Sequence, residues 1–252
     1  LGPALAGVLL LISYTAPFYL FAFGAMFVIF LITKQKSPPL IKGKEDFKKI
    51  SIFDYRVWPF LVISASFGIC NAALVQTSSF YFQDVIDPDS TNYIALASIG
   101  FMLSALGILN GQLLIADRLQ TSPGSLIRLG VIFIFFSLLG VANSTSLVHI
   151  YISLFFYGLG GGMLSPGVSS SLSISVGKEN QGSASGFLGM VIPVGHVISP
   201  IISMPLYSVS PSYPYLLGSV LMFISFIFIL SNSRHKWIRD KHYKDEFESL
   251  PK

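Results

Sequence analysis

The sequence predicts an all-α membrane protein, and three observations carry that prediction. Apolar residues make up 52% of the 252-residue chain and charged residues 11%, with a mean hydropathy of +0.69, whereas a soluble domain carries about 25% charge. All 16 Lys and Arg fall into four places, and the stretches between them are near the roughly 20 residues a helix needs to cross about 30 Å of hydrocarbon. The 22 Phe, 11 Tyr and 22 Gly supply the aromatic and small residues that membrane helices favour. A soluble enzyme, a disordered chain and a collagen-like chain are excluded.

Full spans are expected at 16–33, 57–82, 93–116, 125–144, 147–176, 183–207 and 213–232, with residues 1–13 as the end of one more. A Lys or Arg at the centre of a span costs about 2.5–3.5 kcal/mol. Only Arg128 enters one, in its first turn, where its stem can reach back to the interface.

The loops alternate in charge. Segments 34–56, 117–124, 177–182 and 233–252 hold every positive charge except Arg128, while 83–92, 145–146 and 208–212 hold none. The positive-inside rule places the basic set, and so the C-terminus, in the cytoplasm. Residues 1–13 then start within the membrane with neither an initiator Met nor a signal-peptide pattern. A fragment of a longer protein is expected.

Residues 34–56 form the one sizeable linker. The Pro38-Pro39 pair stops any helix there, and the segment reads as a solvated loop that also suits anionic lipid headgroups. So short a basic run between two spans predicts no nucleic-acid role.

The sequence echoes itself. Gly2-Pro3-Ala4-Leu5-Ala6-Gly7 in the first partial helix is matched about six spans later by Ser199-Pro200-Ile201-Ile202-Ser203, in a helix of the same direction. That spacing suits parallel repeats of six spans. Gly2-Pro3 followed by Gly7 is similar to the end of the antiporter motif G-P-x-x-G-G, with Ala6 in place of the first paired glycine. Asp117-Arg118-Leu119 stands where a degenerate G-x-x-x-D-R-x-G-R-R loop is found, with Leu113 for the glycine and Gln120-Thr121-Ser122 for the Gly and basic pair. Gly158 to Gly162, Pro166-Gly167 and Gln181 to Gly186 resemble a tenth helix and the start of an eleventh.

On these residues the whole chain resembles the C-terminal part of a major facilitator superfamily transporter, nearest to the bacterial drug-proton antiporters. The resemblance implies the C-terminal six-helix bundle of a twelve-helix fold, preceded by the end of the fifth helix and the sixth. Residues 1–33 would then close the N-terminal bundle, 34–56 would be the cytoplasmic linker, 57–232 the C-terminal bundle and 233–252 a cytoplasmic tail. Two bundles would rock around a central cavity, so this chain's partners would be the missing N-terminal bundle, the bilayer, a small-molecule substrate and protons. The resemblance also gives Gly2, Pro3, Gly7, Asp117 and Arg118 gating roles, the last two at an inner gate.

The polar and small residues inside the spans are the candidates for function. Gly158, Gly161 and Gly162 lie mid-span ahead of Pro166. They read either as static close packing or as a bendable pivot. Gly182, Gly186 and Gly189 place small residues at helical spacing on the next span, so contact between those two helices is expected. His196 lies near mid-span on a stripe with Gly189, Ser199 and Ser203. An ionisable residue at that depth faces the bundle interior or a wet cavity, which leaves cavity lining, proton carriage and packing open.

Asn71 and Gln76 are roughly 140° apart on one helix, and Asn110 and Gln112 about 200° apart on the next, so one member of each pair is expected to line the path. Tyr157, with Ser153 and Gly161, reads as an aromatic and hydroxyl face. Asn71, Gln76, Asn110, Tyr157 and His196 are therefore the candidate substrate-binding residues.

No catalytic, cofactor or metal reading arises. Every carboxylate falls in a loop or tail, Cys70 stands alone, and neither a P-loop nor a dinucleotide fingerprint occurs. The expected function is proton-coupled efflux of a small organic solute across a bacterial inner membrane. The rivals are a uniporter or importer of a neutral nutrient, and a seven-span receptor.

Overall fold

A computed structural model describes residues 9, 13, 15–34, 50–88, 92–113, 122–176 and 180–231. The chain divides into two compact units, 1–48 and 49–252. The first contains α1 (Ala16–Lys34), ended by Lys34, whose ammonium lies 4.4 Å from the centre of the Phe30 ring. The second contains α2 (Trp58–Tyr81), α3 (Tyr93–Asn110), α4 (Pro123–Ala142), α5 (Leu147–Val176), α6 (Gln181–Val209) and α7 (Tyr213–Ser231). All seven helices are long and apolar enough to cross a membrane, and the described residues contain no strand. Apart from the end of α3, expected at 116 and described only as far as Leu113, the observed ends fall within a few residues of those expected, with one exception.

Local chemistry sets the helix starts. Before α2, the Asp54 carboxylate accepts from the Arg56 backbone N–H (2.9 Å) and holds the Arg56 guanidinium at 2.9 Å, while the Asp54 carbonyl takes the N–H groups of Val57 and Trp58. Pro59 follows in the first turn, where a missing N–H costs nothing. Arg56 holds the Asp54 carboxyl below the usual carboxylate range, and Asp54 in turn raises Arg56. α4 starts similarly, with Ser122 capping the Ser125 N–H and Pro123 beside it.

The exception is the C-terminal end of α2. The helix does not stop near Phe82 but widens into a π-helical turn, Phe82–Ile86, closed by the Asp87 N–H on the Phe82 carbonyl. This turn carries Asp84, expected in a loop, onto the end of the helix.

Chain order does not set the packing. α5 is held between α3 and α4, α2 packs along α6 and α7, and α4 packs on α7. Lipid tails are as apolar as leucine, so helices in a bilayer associate through close packing of small residues and interhelical hydrogen bonds. Both devices are present. Gly107 on α3 and Gly111 just beyond it face Gly158 and Gly162 of α5, and a Cβ on Gly158 would land on the Ser104 carbonyl. On the other side of α5, Gly160 and Gly130 of α4 approach so closely that a Cβ on either would lie 2.8 Å from the other's carbonyl oxygen.

Hydrogen bonds tie the helix ends away from the basic loops. The Tyr81 hydroxyl donates to the Ser144 carbonyl (3.1 Å), Ser212 donates to the Ala142 carbonyl (2.7 Å), and Thr77 and Tyr215 share a bond of 2.9 Å. Buried apolar side chains such as Phe60, Ile63, Ile134, Leu138, Leu154 and Met222 fill the space between.

Candidate functional site

The polar candidates are brought together by two helix pairings, α2 with α5 and α2 with α6. From α5, Tyr157 reaches α2. It is buried, its hydroxyl lies 3.4 Å from Asn71 Oδ1, and its ring stacks on Phe67 at 6.2 Å. Phe67 lies over Gly161 as well, where a Cβ would stand 3.2 Å from its ring. Tyr157, Asn71, Phe67 and Gly161 thus form one mid-membrane cluster of ring, amide and hydroxyl without fixed charge. Ser153, expected to share that face, turns elsewhere. It bonds the His149 carbonyl at 2.9 Å and packs on Gly140 of α4.

The α2–α6 seam depends on prolines. α6 contains Pro193, Pro200 and Pro205, and a helical proline leaves the carbonyl four residues earlier without its usual donor. For Pro200 that carbonyl belongs to His196, and Gln76 Nε2 of α2 donates to it at 3.4 Å. Ser199 donates to the Ile69 carbonyl at 3.2 Å, and Gly68 and Gly195 let the two backbones meet. The Gln76 amide is therefore committed to α6, which leaves its Oε1 without a partner.

The stripe drawn through His196 splits. Ser199 and Ser203 are buried, whereas the His196 ring is exposed on the flank of α6, with Nδ1 3.1 Å from the Ile192 carbonyl. Donation from Nδ1 leaves Nε2 as the ring's available acceptor. Asn110 is spent on its own helix, donating to the Leu106 carbonyl at 2.8 Å, and Gln112 is exposed.

The glycines separate too. Gly158 and Gly162 face α3 and Gly161 faces α2, while Pro166 is half-buried within α5. Contact between α5 and α6 exists but does not run through Gly182, Gly186 and Gly189, which have open space where a Cβ would sit. The glycine of α6 that makes the close approach is Gly195, and its partner is α2. Gly2, Pro3, Gly7, Asp117 and Arg118 lie outside the described residues.

Two features were missed in the sequence. Ser165 and Ser169, exposed on α5, and Ser173 below them recur every four residues. Ser169 and Ser173, with Ser185 of α6, border a cavity of about 290 Å³ between α5 and α6 toward the basic side. Their i, i+4, i+8 spacing was the available signal. The second is Asp84 on its π-turn, which accepts from the Tyr207 hydroxyl of α6 at 2.9 Å. No sequence pattern marks a π-turn, so Asp84 read as a loop residue. Among the described residues no group of His, Cys, Asp and Glu is placed to hold a metal ion.

Against known families, the model of the Major Facilitator Superfamily matches residues 1–200 and again 115–250. The chain belongs to the Major Facilitator Superfamily. Among solved structures it is similar to that of the POT family transporter PepTSo, crystallised in meso, with a TM-score of 0.63 and 18% identity over 71% of this chain. The match spans 37% of that transporter's length. At that identity the likeness concerns the fold: a partial major facilitator bundle, in a multi-pass membrane chain. No curated protein matches the sequence.

Proposed function

We propose that the full-length protein is a secondary transporter that moves a small, partly apolar organic solute by alternating access. Residues 57–232 would be its C-terminal bundle, 1–33 the close of its N-terminal bundle and 34–56 the linker between them. The observation that carries this reading is the uncharged cluster Tyr157–Asn71–Phe67 at mid-depth, with the serine-bordered cavity between α5 and α6 on the basic side. An aromatic plane with one amide and one hydroxyl holds a ring-bearing or aliphatic solute by packing and orients it by one or two hydrogen bonds. A permanently anionic solute would call for a cation at that depth, and the cluster has none.

In the finer form of the proposal, the transporter exports its solute in exchange for protons across a bacterial inner membrane, with the C-terminus in the cytoplasm. His196 is the group on α6 suited to take the proton, through Nε2. Asp117 and Arg118 serve the inner gate, and Gly2, Pro3 and Gly7 have a gating role in the N-terminal bundle. Support comes from the family, the Gly-Pro sequence and the exposed imidazole.

The test is solute efflux from vesicles holding the full-length protein, with and without an imposed proton gradient. Collapse of the gradient should abolish uphill efflux, and His196→Gln should uncouple it while leaving downhill exchange. Uphill efflux that persists after collapse would remove proton coupling. Saturable downhill flux indifferent to the gradient would instead identify a uniporter.

A further inference from the structure

Three helices, α2, α6 and α7, enclose a small cavity whose lining includes Cys70, Ser199, Ser203 and Gly218. It measures about 10 Å³, about the volume of one water-sized sphere, which holds a single water and no second. Ser203, 3% exposed, is the residue that needs one. Among the described residues its hydroxyl has no hydrogen-bond partner, although a helical serine can turn back to the carbonyl four residues earlier. Lipid offers no substitute, and a buried hydroxyl left unpaired costs free energy.

The groups around Ser203 suit a water. Ser199 stands one turn earlier on the same face of α6, a spacing that sets Cβ atoms about 5–6 Å apart. That is twice the length of an O–H···O bond, about 2.7–2.8 Å, so one oxygen fits between the two hydroxyls. The Ser199 hydroxyl already donates to the Ile69 carbonyl at 3.2 Å, and the Cys70 thiol donates to the Gly218 carbonyl at 3.4 Å. Both are thereby left as acceptors, the sulfur the weaker. A water that accepts from Ser203 and donates to Ser199 Oγ and Cys70 Sγ makes three bonds, the usual number for a buried water.

We propose that this cavity is a binding site for one ordered water, which joins α6 to α2 along the turn between Pro200 and Pro205. In that turn α6 lacks the backbone donors of both prolines, and the water adds a link to the neighbouring helix that the protein's own groups do not make. The inference is independent of the transport reading, since a bundle that moves no solute would keep the cavity.

Imaging the full-length protein in lipid nanodiscs, at a resolution that shows ordered water, tests it. The expected result is one density peak about 2.7–3.2 Å from both Ser203 Oγ and Ser199 Oγ. Ser203→Ala gives a second test through the sign of its effect. In a dry cavity the substitution removes an unpaired buried hydroxyl, and Tm should hold or rise. With the water in place it takes away the hydroxyl that donates to that water, and Tm should fall by about 1–2 °C. Ser208→Ala, which removes an exposed hydroxyl bonded to the Met204 carbonyl of its own helix, should leave Tm unchanged. Absence of the density peak, or a Tm that holds or rises in Ser203→Ala, would overturn the proposal. If Ser203→Ala does not fold, the density decides alone.

Discussion

Helices α5 and α6 are almost equally long, 30 and 29 residues, and equally free of charge, yet the bundle treats them in opposite ways. α5 is 61% buried over its apolar window and α6 only 17%. The sequence also distributes its helix-weakening residues differently between the two. α5 has four glycines in five positions, and at Gly158, Gly160 and Gly162 the missing side chain is replaced by a neighbouring backbone. What would cost about 1 kcal/mol per glycine in an isolated helix is recovered as contact. α6 has three prolines, and the carbonyl freed by Pro200 depends on one long bond from Gln76. A helix clamped on two sides and one with most of its surface bare lie side by side.

The largest effect should come from breaking the clamp. Gly158→Ala places a methyl on the Ser104 carbonyl and should cost about 1–3 kcal/mol, as overpacking does, read as a lowered Tm of the purified protein. Gly186→Ala, where space is open, should leave Tm unchanged or slightly raised. Equal losses at the two positions would show that α5 is no tighter than α6. On the α2–α6 seam, Gln76→Ala should cost about 0.6 kcal/mol, the average for a hydrogen bond between membrane helices. Its cost should shrink in a Pro200→Ala background, where the helix again supplies the N–H, and a double-mutant cycle measures that coupling. Tyr157→Phe should move Tm less than Gln76→Ala does, because its 3.4 Å contact is long for an O–H···O bond. It should still change the apparent affinity for solute.

An effect of similar or smaller size is expected near the surface, where Asp54→Asn removes a half-buried ion pair worth about 0.2–1 kcal/mol. Because Arg56 lowers the Asp54 pKa in the folded chain, that contribution is present above the unfolded carboxylate's pKa. It is lost as pH falls through the lowered folded value. Unfolding of Asp54→Asn should accordingly converge with that of the unsubstituted protein in acid.

How far the sequence could be read follows from the range of each signal. Hydropathy and the placement of Lys and Arg are local, and they located seven spans with ends a few residues off. The stripe through His196 shows where locality fails. Helical spacing grouped it with Ser199 and Ser203, but a stripe as broad as 60° straddles the edge between packed and open surface, and only the position of α2 shows where that edge falls. Gly158 to Gly162 were recognisable as close-packing residues, yet their partners are Gly107, Gly111 and Gly130, some 30 to 50 residues away. Asp84 was misplaced because one π-turn lengthened a helix that composition alone would have ended.

The bonds between α2 and α7 also constrain how the bundle is made. Cys70 of α2 donates to the carbonyl of Gly218, 148 residues later, and Thr77 waits for Tyr215, 138 residues later. During synthesis α2 enters the bilayer before the two helices that line its sides exist. Until α7 emerges, the Tyr81 hydroxyl can reach α4 but Thr77 has no tyrosine partner, and the hydroxyls of α2 must turn back on their own helix, as Thr77 does on the Ala73 carbonyl at 2.7 Å. Among the described helices α7 is thus the one that completes α2, and a chain stopped before Tyr213 would leave that flank of α2 bare.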